Sequence, residues 1–226
     1  MSLLKINNIH KTYIDGADTL EVLKDISISV NSNEIVLILG PSGSGKTTLL
    51  NIVSMIEKAS NGNLEIDGKI INHKEIALID KVRSEVLGVL FESKNLLTEF
   101  TVLENLIMPY KLNNIIDHHN PKKLLDDFGL LDKASYYPHQ LSAGESQRIS
   151  LLRAIINKPK LIVADEPTAN LDEKNLNMII SFIEKIKIDY GSSFILATHD
   201  ERLCDVADRI LYLNKGKLEE RKNKIW

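Results

Sequence analysis

The sequence predicts an α/β fold with a mostly parallel sheet, an antiparallel β annex near the N-terminus and a helical subdomain. Short runs of almost uninterrupted apolar residues alternate with helical patterns, whereas the segment 92–157 contains no clear strand pattern. A chain of 226 residues, of which 43% are hydrophobic and 26% charged, is long enough to bury one sizeable core.

The predicted strands are continuous apolar runs, which are typical of parallel strands covered on both faces. These strands are EIVLIL (34–39), VLGVLF (86–91), LIVAD (161–165), SFILAT (193–198) and RILYL (209–213). Helices are predicted over 47–58, 141–157 and 175–188. Segment 62–71, GNLEIDGKII, alternates around Asp67-Gly68 and is expected to form an antiparallel hairpin.

Composition argues against several classes of protein. The net charge of −3 gives no sign of a nucleic-acid partner, and none is expected. A single cysteine, Cys204, excludes an internal disulfide and fits a reducing compartment. The N-terminus lacks the apolar region of a signal peptide. The longest apolar runs, of about six residues, are too short to span a membrane.

Residues 40–47, GPSGSGKT, match the phosphate-binding pattern G-x-x-x-x-G-K-[ST] between a predicted strand and a predicted helix. Glycines let the backbone N–H groups turn towards a phosphate, and the helix N-terminus adds its positive dipole end. Lys46 would reach the β- and γ-phosphates, and the Thr47 hydroxyl would ligate Mg²⁺. A chance match is the alternative, which the strand-loop-helix context disfavours. The residues expected to bind nucleotide here are Gly40, Pro41, Ser42, Gly43, Ser44, Gly45, Lys46, Thr47 and Thr48.

The run LIVADEPTANLD (161–172) places two acids at the end of a predicted strand. Asp165 is expected to hold Mg²⁺ through water, and Glu166 to orient and polarise an attacking water. An acidic pair that only caps a strand is the alternative, which the presence of a phosphate loop disfavours.

Residues 141–153, LSAGESQRISLLR, open a helix with a turn of small residues. Ser142 is a good N-cap, and Glu145 completes a capping box. Backbone N–H groups at such a turn suit an anion, so the residues alone indicate no more than a second phosphate site.

The LSxGE pattern, followed by QR and RA, resembles the signature motif of ATP-binding-cassette (ABC) ATPases. ADEPTANLD resembles the Walker B motif leading into the D-loop, which ends at Asp172. His199 in ATHD matches the switch histidine, and Tyr13 matches the aromatic that stacks on adenine. Taken alone, Tyr13 would be interpreted as a half-buried aromatic residue of a strand, and His199 as a hydrogen-bonded histidine at the end of a strand. These motifs, in this order along the chain, resemble those of the family and imply a P-loop NTPase core with ATP and Mg²⁺ as cofactors. They also imply ATP hydrolysis with Glu166 and His199 as catalytic residues.

In that family two cassettes bind ATP at their shared interface, with the phosphate loop of one facing the signature helix of the other. The resemblance therefore implies an ATP-dependent homodimer. Ser142 and Gly144 would contact nucleotide bound to the partner, and Ala143 and Glu145 complete the expected binding turn. Ala143 replaces the usual second glycine, a change that matters only if the backbone needs a positive φ or very close phosphate approach.

The stretch LLTEFTVLENLIMPYKL (96–112) is similar to the lipoprotein-releasing (Lol-type) ATPases and their macrolide-exporter and cell-division relatives. The resemblance implies integral membrane permease subunits as partners and a peripheral location on the cytoplasmic face of the inner membrane. The coupling surface would lie in the helical subdomain, although its apolar residues could instead pack within that subdomain. The candidates are Phe100, Leu103, Leu106 and Met108.

The whole chain, 1–226, is interpreted as a single ABC ATPase domain, with a core of 1–91 and 158–226 and a helical subdomain of 92–157. The alternative function is a soluble ABC ATPase in iron–sulfur assembly, repair or translation. The short insert leaves no room for the long coiled coil of chromosome-maintenance ATPases, and tandem translation factors have two cassettes. Binding without hydrolysis is disfavoured because Glu166 and His199 are both present.

Glu92 departs from the family, which usually has glutamine at this hinge position. Its carboxylate is predicted to bind nucleotide through Mg²⁺, for which it is a good hard ligand. Two alternatives remain: it points to solvent or pairs with a lysine such as Lys94, or it is protonated and imitates glutamine.

Overall fold

The structure is a computed structural model that describes residues 2–16, 18–91, 96–116, 118–169 and 171–220. Its strands are β1 (Ser2–Asp15), β2 (Asp18–Asn31), β3 (Ile35–Leu39), β4 (Asn61–Ile66), β5 (Lys69–Ile70), β6 (Leu87–Leu90), β7 (Leu161–Asp165), β8 (Ser193–Thr198), β9 (Arg209–Asn214) and β10 (Lys217–Glu220). Its helices are α1 (Lys46–Val53), α2 (Ile76–Glu85), α3 (Val102–Leu112), α4 (Pro121–Asp127), α5 (Ala143–Ile155) and α6 (Glu173–Tyr190). Short 3₁₀ turns lie at Leu131–Lys133, Pro138–Gln140 and Glu201–Asp205.

The central sheet has the strand order β10-β9-β3-β8-β7-β6. All neighbouring strands pair in parallel except β10, which is antiparallel to β9. Every residue of β3, β7 and β8 is buried, which explains their continuous apolar sequences. Leu39 pairs with Thr198 and Asp165 with Ala197, so the carboxyl ends of these three strands meet at one edge of the sheet. The predicted α/β fold class is confirmed, and this edge carries the candidate site.

The annex is a second sheet with the order β2-β1-β4-β5, in which all pairings are antiparallel. The predicted hairpin is present as β4 and β5, and its turn residues Asp67 and Gly68 have φ of 50° and 73°. Two positive φ values in succession are what a type I′ hairpin turn requires. The long hairpin β1–β2 carries Tyr13 opposite Leu20.

The segment between β6 and β7 contains α3, α4, α5 and two of the 3₁₀ turns, and its described part has no strand. Leu106 is fully buried in the apolar core below these helices, so its prediction as a coupling-surface residue was wrong. Phe100, Leu103 and Met108 are half-buried. None of the helices in the described ranges is long and apolar enough to cross a membrane.

Candidate nucleotide-binding site

A cavity of about 320 Å³ lies at the edge where β3, β7 and β8 end. It brings together three segments that are distant in sequence: the phosphate-binding loop, the end of β7 and the end of β8. The lining residues are Val22, Ser42, Gly43, Gly45, Lys46, Thr47, Thr48, Glu166 and His199. The folded chain thus assembles most of the expected phosphate-binding residues with both expected catalytic residues.

The phosphate-binding loop needs glycine at specific positions. Gly43 and Gly45 have φ of 76° and 107°, in the region that favours glycine. A Cβ atom on Gly45 would lie 2.9 Å from Leu23 Cδ2, and one on Gly40 would overlap the carbonyl oxygen of Leu213. The loop is therefore held close to its neighbours, and its last two residues, Lys46 and Thr47, begin α1.

Lys46 is buried inside this loop, with only 7% of its surface exposed. Its Nζ donates to the carbonyl oxygens of Gly40 at 2.8 Å and Pro41 at 3.3 Å, and lies 3.8 Å from Glu166 Oε1. The Ser44 hydroxyl is buried and has no hydrogen-bond partner among the described residues. A buried ammonium and an unused hydroxyl beside a glycine-rich cavity fit the triphosphate of ATP.

Glu166 is anchored to the end of β8 through both its backbone and its side chain. Its φ of 46° is left-handed, which is uncommon for a residue with a Cβ atom. Its N–H donates to Ala197 O at 2.8 Å, Thr198 Oγ1 donates to its Oε2 at 2.7 Å, and His199 Nδ1 lies 3.0 Å from its Oε1. Asp165, the preceding residue, is buried at the end of β7. The carboxylate of Glu166 therefore reaches the cavity in a defined orientation.

Tyr13 lies beside the cavity and is not one of its lining residues. Its hydroxyl donates to Glu57 Oε2 at 2.8 Å. Lys11 forms an ion pair with Glu57 Oε1 at 2.8 Å, and its Nζ lies 4.8 Å from the centroid of the Tyr13 ring. Burial raises the pKa of the Tyr13 hydroxyl, and the hydrogen bond to Glu57 raises it further. Thr48, which lines the cavity, has the opposite effect and lowers the pKa of this hydroxyl. The ring is therefore held next to the phosphate loop with 39% of the residue exposed.

The signature turn at the start of α5 forms the predicted capping box. Glu145 N donates to Ser142 Oγ at 3.3 Å, and Ser142 N donates to Glu145 Oε2 at 2.9 Å. Ala143 has no positive φ and is exposed, so the backbone does not require glycine there. Within the described part of the chain this turn does not line the phosphate-loop cavity. The predicted binding residues therefore form two separate groups within one chain. One group is the phosphate-binding loop at the cavity, and the other is the signature turn at the start of α5.

Comparison with known proteins agrees with this geometry. The family model described as ABC transporter matches residues 23–169, a stretch that includes the phosphate loop, the signature turn and Glu166. The chain belongs to the ABC transporter family. It is an ABC-type ATPase, and its nucleotide is ATP or ADP.

Several curated relatives of this ABC cassette are lipoprotein-releasing system ATP-binding proteins named LolD. The protein of Buchnera aphidicola subsp. Acyrthosiphon pisum is 40% identical over 89% of this chain and 90% of its own length. The protein of Shewanella oneidensis is 38% identical over 96% of both chains. Among solved structures, the cassette MJ0796, in a dimeric post-hydrolysis state bound to ADP and Pi, matches with a TM-score of 0.87. It is 31% identical, and the match covers 97% of this chain and 99% of that one.

Three functional candidates in this cassette were not predicted from its sequence. Thr198 contacts Glu166, Glu57 contacts Tyr13, and Asn175 on α6 packs against the signature turn. Thr198 directly precedes the predicted switch histidine, and this position in the sequence was the only sign that it lies near the catalytic residues. Glu92 lies outside the described residues, and its predicted role remains a prediction.

Proposed function

We propose that this cassette is the ATP-hydrolysing subunit of a lipoprotein-releasing ABC transporter and that it works as an ATP-dependent homodimer. In this proposal it powers integral membrane permease subunits from the cytoplasmic face of the inner membrane. The observation that carries the ATPase part is the meeting of Lys46 and Glu166 in one cavity, 3.8 Å apart. The names of the LolD relatives support the lipoprotein-releasing part.

The phosphate loop would hold the triphosphate through its backbone N–H groups and Lys46. Thr47 at the start of α1 and Asp165 at the end of β7 would hold Mg²⁺, with Glu92 as a third predicted ligand. When bound, the metal would neutralise part of the phosphate charge. Tyr13 would offer its ring to the adenine, since the ring is exposed beside Thr48 and is fixed by Glu57.

Glu166 would act as the general base towards the attacking water. One of its oxygens, Oε2, accepts the Thr198 hydrogen bond, whereas Oε1 lies near Lys46 and His199. A carboxylate in this position can accept a proton from water within the cavity. His199 contacts that carboxylate, yet its side chain is 66% exposed, so it can also face a second chain.

The separation of the two groups of binding residues supports the proposed homodimer. Ser142 and Gly144 would complete the nucleotide site of a second cassette, because their turn does not line the cavity of its own chain. A twofold symmetric pair would form two equivalent composite sites. The core of 1–91 and 158–226 would supply the phosphate loops, and the helical subdomain of 92–157 would supply the signature turns.

A cleft between the core and the helical subdomain is our candidate for the membrane partner. It encloses about 320 Å³ between α2, β6, α3 and α5, and its lining includes Arg83, Pro109, Asn113 and Arg153. Burial lowers the pKa of Arg153, whose guanidinium donates to Asn105 Oδ1 at 3.4 Å. Arg83 and Arg153 outnumber the one carboxylate of the lining, Asp80, which favours a partner helix that presents a carboxylate.

Glu166→Gln tests the ATPase part of the proposal. The variant should lower turnover by roughly 10²–10⁴-fold, the usual range for a lost general base, while ATP still binds. Light scattering should then show a dimer with MgATP, and adding Ser142→Arg should abolish that dimer. Hydrolysis at the parent rate in Glu166→Gln, or a dimer indifferent to both ATP and Ser142→Arg, would contradict this part.

Purification from membranes tests the transporter part. The tagged cassette should retain integral membrane proteins in mild detergent, and Arg83→Glu should reduce their recovery without changing basal ATPase activity. Lys81→Glu is the matched control, because Lys81 is exposed on the same helix and lies outside the cleft. Recovery of ribosomal, DNA-repair or iron–sulfur assembly proteins instead of membrane proteins would favour a soluble cassette.

A further inference from the structure

We propose that Thr198 is a positioning residue for hydrolysis, which holds the Glu166 carboxylate through a hydrogen bond from its hydroxyl group. The inference rests on the proposed function, because Thr198 acts through Glu166 and does not line the nucleotide cavity. Three observations support the inference: the direction of the hydrogen bond from the Thr198 hydroxyl, the burial of Thr198, and the contacts of the second Glu166 oxygen, Oε1.

The Thr198 hydroxyl has a defined direction. A hydroxyl group has one proton to donate and can accept further hydrogen bonds. Thr198 Oγ1 accepts the backbone N–H of Asp200 at 3.0 Å and lies 2.7 Å from Glu166 Oε2. Since Oε2 of an ionised carboxylate can only accept, the hydroxyl proton must point to Glu166. A distance of 2.7 Å is typical of a strong hydrogen bond to a charged oxygen.

Thr198 can hold this position because it is itself immobile. It is the last residue of β8, it is fully buried, and it pairs with Leu39 at the end of β3. The neighbouring Ala197 accepts the Glu166 backbone N–H at 2.8 Å. Two consecutive residues of β8 therefore hold the backbone and one carboxylate oxygen of Glu166.

The hydrogen bond from Thr198 also determines where the second carboxylate oxygen of Glu166, Oε1, lies. With Oε2 held by Thr198, Glu166 Oε1 remains beside Lys46 and His199 in the cavity. A free carboxylate would rotate about its terminal bonds, and ordering it during the reaction would cost conformational entropy. The threonine hydroxyl thus makes one oxygen the proton acceptor and keeps that oxygen aimed at the cavity.

The test compares Thr198→Val with Thr198→Ser in the full chain. Valine keeps the shape without the hydroxyl, and we expect kcat for ATP to fall about 10–100-fold with ATP affinity changed less than about twofold. Serine keeps the hydroxyl and should retain kcat within about threefold. Ser193→Ala is the matched control, because Ser193 is a buried hydroxyl at the other end of β8 that accepts Asn33 N–H at 2.7 Å. It should lower the melting temperature without lowering kcat.

Glu166→Gln distinguishes failure of this inference from failure of the proposed function. If Thr198 acts through the carboxylate, Thr198→Val should cause no further loss in the Glu166→Gln background. Parental or increased kcat in Thr198→Val, a serine variant as slow as the valine one, or an added loss in the double variant would each overturn the inference. If Glu166→Gln itself hydrolyses ATP at the parent rate, the assignment of the base fails as well.

Discussion

The side chain of Asn175 lies so close to the backbone of Gly144 that no Cβ atom fits between them. A Cβ on Gly144 would overlap Asn175 Oδ1 and would lie 3.0 Å from Asn175 Cβ. The Asn175 amide also donates to both carboxylate oxygens of Asp172, at 3.0 and 3.1 Å, and its Oδ1 accepts from Arg148 at 3.1 Å. One asparagine therefore joins the signature turn on α5 to the end of the D-loop at α6.

Gly144→Ala should destabilise the protein by about 1–3 kcal/mol, the usual cost of overpacking. The added methyl group must displace Asn175 and loosen its bonds to Asp172. Denaturant unfolding measures the stability, and light scattering in the Glu166→Gln background measures whether the ATP-bound dimer weakens with it. Asn175→Ala should make room, so the double variant should lose less than the sum of the single losses. Strictly additive losses would show that the two residues do not interact.

The capping box of the signature turn should depend on pH. The hydrogen bond from Ser142 N lowers the pKa of Glu145; burial opposes this, and the Ser142 hydroxyl and Lys133 assist it. Because the folded-state pKa is depressed, the carboxylate contributes stability above its ordinary value of 4.5 and loses that contribution as pH falls through the folded value. The parent should thus exceed Glu145→Gln in stability at pH 7, and the difference should shrink below about pH 4.5. A difference that stays constant down to pH 3 would contradict this.

Much of the core was predictable because its signals are local. Continuous apolar runs identified β3, β6, β7, β8 and β9, and the parallel strands placed the phosphate loop beside Glu166 and His199. The strands β1 and β2 and the helix α2 were not predicted individually, because polar and apolar residues mix along them without a continuous run.

Helix α1 shows why an element's end can escape prediction. Residues 47–58 keep an apolar periodicity, yet the helix ends at Val53. Met55 takes a φ of 56°, Met55 N donates to Ile52 O at 3.0 Å, and Ile56 N donates to Asn51 O at 2.9 Å. This is a Schellman ending, which usually has glycine at the left-handed position. With methionine there, the sequence carried no stop signal.

Tyr13→Ala should weaken ATP binding by about 1–3 kcal/mol, the usual value of stacking a base on an aromatic ring. Tyr13→Phe keeps the ring and loses the hydrogen bond to Glu57, so it should bind ATP almost as well as the parent. Inorganic tripolyphosphate is the control ligand, because it has no base and its affinity should not change in either variant. Equal losses of ATP and tripolyphosphate affinity in Tyr13→Ala would place the defect in the phosphate loop instead.

Glu92→Gln tests the predicted metal ligand at the junction between the core and the helical subdomain. A carboxylate about 5 Å from a phosphate charge, at an effective dielectric of about 20, would be repelled by roughly 3 kcal/mol. Magnesium between the two groups would turn that repulsion into attraction, because carboxylates are good ligands for it. ATP affinity measured with and without Mg²⁺ should therefore fall further in the parent than in Glu92→Gln when the metal is removed. Equal losses in the two proteins would mean that Glu92 points to solvent or carries a proton, as the two alternative interpretations hold.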